Sequence, residues 1–152
     1  MKFIFNPKQL YNYFKSTIIQ LFKEHRSPHS IALGIAIGSL IAVIPIYGFQ
    51  TLAAIGVSAI LAKTKINKGS ILLGSQLSIP IFAPFVFALD YAVGNFILNK
   101  TWEWVLYNRT IFSEIGKIYI IMFVGSLIVA PIISIIIYII TKHLIYTLKK
   151  AM

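Results

Sequence analysis

Carboxylate side chains are rare in this sequence, and one of them lies where a charge is costly. The acids are Glu24, Asp90, Glu103 and Glu114, and Asp90 falls inside an otherwise apolar run. A charged aspartate at the centre of a membrane span costs about 2.5–3.5 kcal/mol on insertion scales, so such residues usually face a cavity or a partner. Asp90 therefore has two interpretations: a proton- or cation-coupled site, or a hydrogen-bonded or protonated structural acid near Pro84.

Two glutamines, Gln50 and Gln76, lie where prolines interrupt long apolar runs. Buried amides need hydrogen-bond partners. These two either line a shared polar site or satisfy carbonyl groups freed where the helices break. Together with Tyr91 they are also the candidate partners of Asp90. The sequence thus defines a candidate polar site within a membrane, formed by Gln50, Gln76, Ser78, Asp90 and Tyr91.

The remaining reactive side chains do not form a catalytic pattern. There is no cysteine, which excludes disulfides and thiol catalysis. His25, His29 and His143 are scattered, without a ligand set at metal-binding spacing, so we assign no metal. The acids are not paired for acid–base catalysis, and neither a nucleophile elbow nor a glycine-rich phosphate loop occurs. We therefore expect no cofactor and no enzyme activity.

Composition places the chain among membrane proteins. Of 152 residues, 58% are hydrophobic and 12% are charged, whereas soluble domains have about 25% charged residues. The length allows a single domain over residues 1–152. The net charge is +10, but the basic residues flank apolar runs instead of forming one face. Loops beside membrane spans explain this pattern better than nucleic-acid binding does.

The apolar runs predict an all-α, polytopic helical membrane protein. Its parts are an N-terminal amphipathic interfacial helix (8–26), two proline-broken, hairpin-like hydrophobic segments (31–62 and 69–99), an interfacial segment (100–117) and a C-terminal transmembrane helix (118–141). Each half of the first broken segment covers about 21 Å, against a hydrocarbon layer of ~30 Å. That segment is therefore either a re-entrant hairpin or a pair of short spans, and its turn must touch protein or water.

A short pattern recurs in the apolar segments: a Gly-Ser pair with a proline six or seven residues after the glycine. It occurs at Gly38-Ser39, Gly74-Ser75 and Gly125-Ser126. The pair would allow close helix approach, and the proline would break or kink the helix. Proline-interrupted segments in matching positions indicate a binding site in some transporters, but chance similarity among common membrane residues is the alternative.

The groups of charge predict which parts share one side of the membrane. If 31–62 returns to its own side, the basic groups at the N-terminus, at 63–68 and at the C-terminus lie together, and 100–117 lies opposite. This arrangement satisfies the positive-inside rule. Both termini are therefore predicted to be cytoplasmic.

Small, proline and polar residues stand in a specific order along the chain: Ser27, Pro28, Gly34, Gly38, Pro45, Gly48, Gln50, Asn67, Pro80, Pro84, Tyr91 and Gly94. Over about residues 8–99 the chain resembles domain of unknown function 2062, a family of small bacterial membrane proteins. It departs from that family's Asn-Pro pair and following Thr, because Ile79-Pro80 and Phe82 stand there; Gln76 or Ser78 would then supply the polarity. The resemblance implies a multi-pass protein of the bacterial inner membrane and no assigned activity.

Two functional hypotheses follow. The first is a protein that binds or transports a small solute, ion or lipid headgroup through the polar site at the broken helices. The second is a non-catalytic scaffold, in contact with membrane lipids, that anchors an envelope glycosyltransferase or lipid-modifying enzyme, since related domains occur beside such modules. Self-association is compatible with either, and a holin-like membrane disruptor is a third interpretation.

Overall fold

The computed structural model describes residues 27–46, 48–76, 83–100, 102 and 115–151. This part of the chain is all-helical. Its α-helices are α1 (Pro28–Val43), α2 (Gln50–Ile60), α3 (Lys68–Ser75), α4 (Ala83–Asn99) and α5 (Ile115–Ala151), with a 3-10 turn at Leu61–Lys63 after α2. The amphipathic helix expected at 8–26 and most of the interfacial segment 100–117 lie outside the described residues.

Local sequence sets both ends of α1. Ser27 caps the start, where its hydroxyl accepts a hydrogen bond from the backbone amide three residues on at 3.2 Å, and Pro28 takes the first helical position. At the other end Ile44 is extended (φ −62°, ψ 130°), because a residue that precedes a proline, here Pro45, disfavours the helical conformation. Gly48 then turns the chain with φ +85°. The first apolar block is thus two helices joined by a turn.

α1 and α3 run parallel and in close contact. The Asn67 amide donates to the Ser30 carbonyl oxygen (3.4 Å), and the Ser30 hydroxyl donates to the Lys65 carbonyl oxygen. Further along, Gly38 lies against Gly74, and a Cβ atom on either glycine would overlap the backbone of the other helix. Because α1 and α3 begin at the same end, α2 between them runs back toward the start of α1. The first apolar block is therefore a helical hairpin.

α5 packs antiparallel to α1. His29 at the start of α1 contacts Tyr138. Further along α1, the Ala36 carbonyl oxygen accepts a hydrogen bond from the Ser134 hydroxyl at 2.7 Å. Higher residue numbers on α1 therefore meet lower residue numbers on α5. We call the end of the bundle where α1 begins the near end, and the end where α1 stops the far end. The near end also holds Lys65 and its loop, through the contacts with Ser30.

α4 packs antiparallel to α5 as well. A Cβ atom on Gly94 would meet the backbone of Ile121, and one on Gly125 would meet the backbone of Asp90. Since α4 opposes α5, it runs in the same direction as α1 and α3. The second apolar block therefore advances from the near end through α3 and α4, and α5 returns.

α5 is longer than the span predicted for this segment. The prediction covered 118–141, whereas the helix runs from Ile115 to Ala151 and continues through Pro131 without interruption. Lysines in its last turns do not end it, because lysine is a good helix former. In the recurring Gly-Ser pattern, all three glycines lie at close helix contacts. The prolines behave differently, since Pro45 follows the end of a helix and Pro131 lies inside one.

The described residues bury small polar side chains and expose large apolar ones. The buried polar residues are Ser30, Ser39, Ser58, Asn67, Ser70, Ser75, Asp90, Asn95, Ser126 and Ser134. By contrast, Ile60 is 81% exposed, Phe85 70% and Phe49 66%. Extended apolar surfaces of this kind mark contact with a membrane or with protein. Within the described residues, α5 is the one helix long and apolar enough to cross a membrane.

Candidate functional site

Three helix ends meet at the far end of the bundle. The Gln50 side-chain amide donates to the Ala42 carbonyl oxygen at 3.1 Å, which joins the start of α2 to the end of α1. The Gln76 side-chain amide donates to the Thr51 hydroxyl at 3.3 Å and to the Ser75 hydroxyl at 3.4 Å, which joins the end of α3 to the start of α2. We call Ala42, Gln50, Thr51, Ser75 and Gln76 the tip cluster.

Local chain chemistry explains how these ends come to carry polar groups. The end of α1 before Pro45 leaves carbonyl oxygens without partners inside the helix, and Gln50 bonds one of them. This is the bond expected of an amide that satisfies a carbonyl at a helix break. At the start of α2, Phe49 occupies the N-cap position and supplies no side-chain hydrogen bond. The N-cap side chain therefore does not bond to the backbone N–H groups in the first turn of α2.

The electrostatics of the tip cluster come from helix ends and amides. The N-terminus of α2 carries partial positive charge, and the C-termini of α1 and α3 carry partial negative charge. The tip cluster itself contains no ionisable side chain, and Thr51 and Gln76 are exposed while Gln50 is half-buried. Helix ends of opposite partial charge therefore meet at one place, beside the exposed side chains of Thr51 and Gln76. This arrangement can exchange hydrogen bonds with a small polar ligand.

The turn between α1 and α2 borders a hollow of about 330 Å³, within the usual size of ligand pockets. It is lined by Pro45, Ile46, Phe49 and Tyr119, so its walls are mainly apolar. As for metal binding, no group of three His, Cys, Asp or Glu side chains lies together in the part of the chain that the structure describes. The far end thus offers a small hollow beside neutral polar groups.

Asp90 lies apart from the tip cluster, at the crossing of α4 and α5, where its backbone carbonyl faces Gly125. The side chain is fully buried, at 0% exposure, and neither carboxylate oxygen has a hydrogen-bond partner among the described residues. None of the candidate partners Gln50, Gln76 and Tyr91 therefore forms a hydrogen bond with the Asp90 carboxylate. Asp90 lies on α4 at the crossing with α5, where its backbone is in close contact with Gly125.

The structure divides the polar site predicted from the sequence. Gln50 and Gln76 are brought to the same place through Thr51, whereas Asp90 and Tyr91 lie on α4. Ser78 lies outside the described residues, as does Pro80. Thr51 was not singled out from the sequence, although a threonine directly after Gln50 in an apolar block was a visible signal.

Most positions in the family pattern have a structural role. The helix starts and the turn between α1 and α2 involve Ser27, Pro28, Pro45, Gly48 and Asn67. The close helix crossings involve Gly34, Gly38 and Gly94. Pro84 is the second residue of α4. The Asn67 side chain, for example, accepts from the Ser70 amide at 2.9 Å and caps α3. In this pattern Gln50 is the position that belongs to the tip cluster. The pattern therefore reports the shape of the hairpin and one polar group at its tip.

A second group of residues, at the near end, was also not identified from the sequence. A cavity of about 530 Å³ lies between the start of α1 and the last turns of α5. Its lining includes Tyr138, Lys142 and Tyr146, whose spacing of four residues places them on one face of α5. That spacing was the available signal.

A model of the family described as "Uncharacterized protein conserved in bacteria", domain of unknown function 2062, matches residues 11–151. The match extends beyond the 8–99 stretch of the resemblance and takes in α5. No curated protein and no solved structure matches the chain. The tip cluster, Asp90 and the near-end cavity all fall inside the matched residues. The chain therefore belongs to the bacterial family of domain of unknown function 2062.

Proposed function

We propose that this is a multi-pass protein of the bacterial inner membrane in which the tip cluster binds a small polar solute or ion, or passes it across the membrane. The observation that carries the proposal is the meeting of three helix ends through the Gln50–Ala42 and Gln76–Thr51 hydrogen bonds. In secondary transporters, broken helices bring ends of opposite partial charge to a ligand. The tip cluster has the same components.

The membrane placement is supported by what the helices bury and expose. Helices in lipid associate through glycine and small polar residues, because lipid is as apolar as leucine and gives no hydrophobic drive for association. The crossings here are made by Gly38 with Gly74 and by Gly94 with Gly125. Large side chains such as Ile60 and Phe85 remain on the surface. Both features fit a bundle surrounded by hydrocarbon.

The orientation is supported by the charges at the near end. The lysines there are Lys63, Lys65, Lys68, Lys142, Lys149 and Lys150. By the positive-inside rule, this excess of positive charge favours a cytoplasmic position for the near end. With 16 residues, α1 is about 24 Å long, shorter than a hydrocarbon layer of ~30 Å. This favours a re-entrant hairpin, whose tip lies inside the membrane against α3 and α5.

Asp90 supplies a candidate coupling group for the same function. The Asp90 backbone carbonyl lies against Gly125, whereas Val43 at the end of α1 packs with Val129. Four positions along α5 correspond to about 6 Å, so Asp90 lies about one helical turn beyond the end of α1. An unpartnered buried carboxyl favours its neutral form or a nearby cation. Uptake of a proton or cation at Asp90 would then accompany solute binding at the tip.

Ligand binding is tested with the full chain in lipid nanodiscs by thermal unfolding. The probes are sodium and potassium ions, neutral amino acids and simple sugars, each added separately. A solute at 100 times its Kd stabilises the folded state by about 2.7 kcal/mol, so a ligand raises the unfolding temperature. Thr51→Val and Gln76→Leu should abolish that rise. Thr147→Val is the matched control, because the Thr147 hydroxyl bonds within α5, to the His143 carbonyl.

Two results would overturn the proposal. One is that no probe raises the unfolding temperature of the native chain. The other is a rise that persists unchanged in both Thr51→Val and Gln76→Leu, since the ligand would then bind elsewhere. A rise lost in both variants and kept in Thr147→Val supports the tip cluster as the site.

A further inference from the structure

The near-end cavity combines a basic group, paired ring side chains and an apolar wall. Its volume is about 530 Å³, and its described lining is Ser27, Pro28, His29, Tyr138, Ile139, Lys142, His143 and Tyr146. None of these residues is acidic. Within the described residues, the cavity therefore presents donors and a positive charge without a carboxylate in its lining. It lies at the opposite end of α1 from the tip cluster, so it is a separate site.

The hydrogen bond between His29 and Tyr138 uses one of the two donors that a neutral imidazole and a tyrosine hydroxyl offer. His29 Nδ1 and the Tyr138 hydroxyl oxygen are 2.7 Å apart, and their rings meet edge-on with centroids 5.8 Å apart. If the tyrosine hydroxyl donates, the neutral imidazole keeps its Nε2–H; if the imidazole donates from Nδ1, the tyrosine keeps its O–H. Either arrangement leaves one N–H or O–H at the cavity wall.

Lys142 and His143 add further groups on the α5 side. The Lys142 ammonium lies 5.6 Å from the centroid of the Tyr138 ring, a cation–π distance that holds it beside the cavity. Both side chains are exposed, so they can reach a ligand that enters from the membrane surface. An ammonium and neutral donors around an open cavity match the oxygens of a phosphate group.

We infer that this cavity binds the phosphate group of an anionic membrane phospholipid. A phosphodiester would lie between Lys142, His143 and the His29–Tyr138 pair. Basic pockets between membrane helices on the cytoplasmic side are a recognised setting for anionic headgroups. This inference rests on the membrane orientation proposed above, and it does not depend on the tip cluster.

The surroundings of the cavity favour a lipid over a soluble phosphate. Ile139 forms part of the wall and is 58% exposed, and Ile135 and Ile136, about one turn further along α5, are 60% and 50% exposed. Acyl chains of a bound lipid would lie along this surface, because it continues toward the membrane interior. A free phosphate ion would leave it uncovered.

The inference is tested by native mass spectrometry of the full chain in mild detergent, titrated with phosphatidylglycerol or phosphatidylcholine of identical acyl chains. We expect tighter binding of the anionic lipid. Lys142→Gln should weaken that binding about fivefold in Kd, the effect of one basic residue at a membrane surface. Lys150→Gln is the matched control, since it removes the same charge from α5 outside the described lining. It should change the Kd by less than about twofold.

The outcomes distinguish a bound lipid from a net-charge effect and from soluble phosphate. Equal binding of the two lipids overturns the inference, and so does equal weakening by Lys142→Gln and Lys150→Gln, which would report net charge alone. Displacement of phosphatidylglycerol by inorganic phosphate at the same concentration would identify soluble phosphate as the ligand and overturn the lipid assignment. A second measurement avoids substitution: phosphatidylglycerol should shift the imidazole NMR signals of His29 and His143, and unchanged signals overturn the inference.

Discussion

Substitution Gly125→Ala tests the crossing of α4 and α5, which positions Asp90. A Cβ atom on Gly125 would overlap the Asp90 carbonyl oxygen, and it would lie 2.7 Å from the Gly94 nitrogen and 2.8 Å from the Asp90 carbonyl carbon. These neighbours are backbone atoms, so they cannot move aside as a flexible side chain would. The two helices must therefore separate if an alanine is placed here.

The magnitude follows from that geometry. Ordinary van der Waals contact begins near 3.4 Å, so the 2.7 Å contact alone requires a separation of about 0.7 Å, and the closer overlap with the Asp90 carbonyl oxygen requires more. Gaps of 0.5–1 Å forfeit about a quarter to a half of the dispersion attraction between facing atoms. Overpacking of this kind costs about 1–3 kcal/mol. Against it stands the gain of about 1 kcal/mol when alanine replaces glycine inside a helix.

Gly56→Ala is the matched control, because a Cβ atom on Gly56 meets nothing within 4 Å. The helix-propensity gain is common to both variants and cancels when they are compared. We expect Gly125→Ala to be less stable than Gly56→Ala by about 1–3 kcal/mol, the overpacking cost alone. Unfolding by sodium dodecyl sulfate in mixed micelles, followed by circular dichroism, measures this difference. Equal stability of the two variants would refute the close crossing of α4 and α5.

Three further predictions concern other parts of the bundle. Asp90→Leu keeps the branching of the side chain and removes an unpartnered buried carboxyl. It should therefore raise the free energy of unfolding by about 1–3 kcal/mol. A loss of stability in the same assay would show that the carboxyl is paired. Asn67→Ala should cost about 1 kcal/mol through loss of the α3 cap, and Asn67→Ser should restore most of it; equal melting temperatures for the two variants would exclude capping. In the proposed topology, Thr64→Cys should react with an impermeant thiol reagent in inverted vesicles and Lys100→Cys in right-side-out vesicles. Reaction of both cysteines from the same side of the membrane would contradict that topology.

The features predicted correctly from the sequence are those set by neighbouring residues. The all-helical class follows from long apolar runs, and the start of α1 follows from Ser27 and Pro28, whose capping chemistry is local. The break at Pro45 is local as well. The Gly-Ser pairs predict close helix approach, and Gly38, Gly74 and Gly125 all lie at helix crossings.

Other features depend on contacts that the sequence pattern does not specify. The Gln76–Thr51 bond joins residues 25 positions apart, and the His29–Tyr138 bond joins residues 109 positions apart. Each forms because the hairpin folds back or because α5 returns along α1. The position of Asp90 opposite Gly125 is a consequence of the same return. Polarity along the sequence therefore cannot specify partners where helix direction decides which side chains meet.

The most direct test of the central claim is the water accessibility of Thr51→Cys in native membranes. The chain has no cysteine of its own, so labelling is specific. Thr51→Cys should react with a small impermeant thiol reagent, although the proposed placement puts the tip cluster within the membrane. Ile128→Cys, a 47% exposed position on α5 that faces lipid in the proposed placement, should not react. Reaction of Thr51→Cys alone is the predicted result; no reaction at Thr51→Cys, or equal reaction at both positions, would contradict a polar site at the hairpin tip.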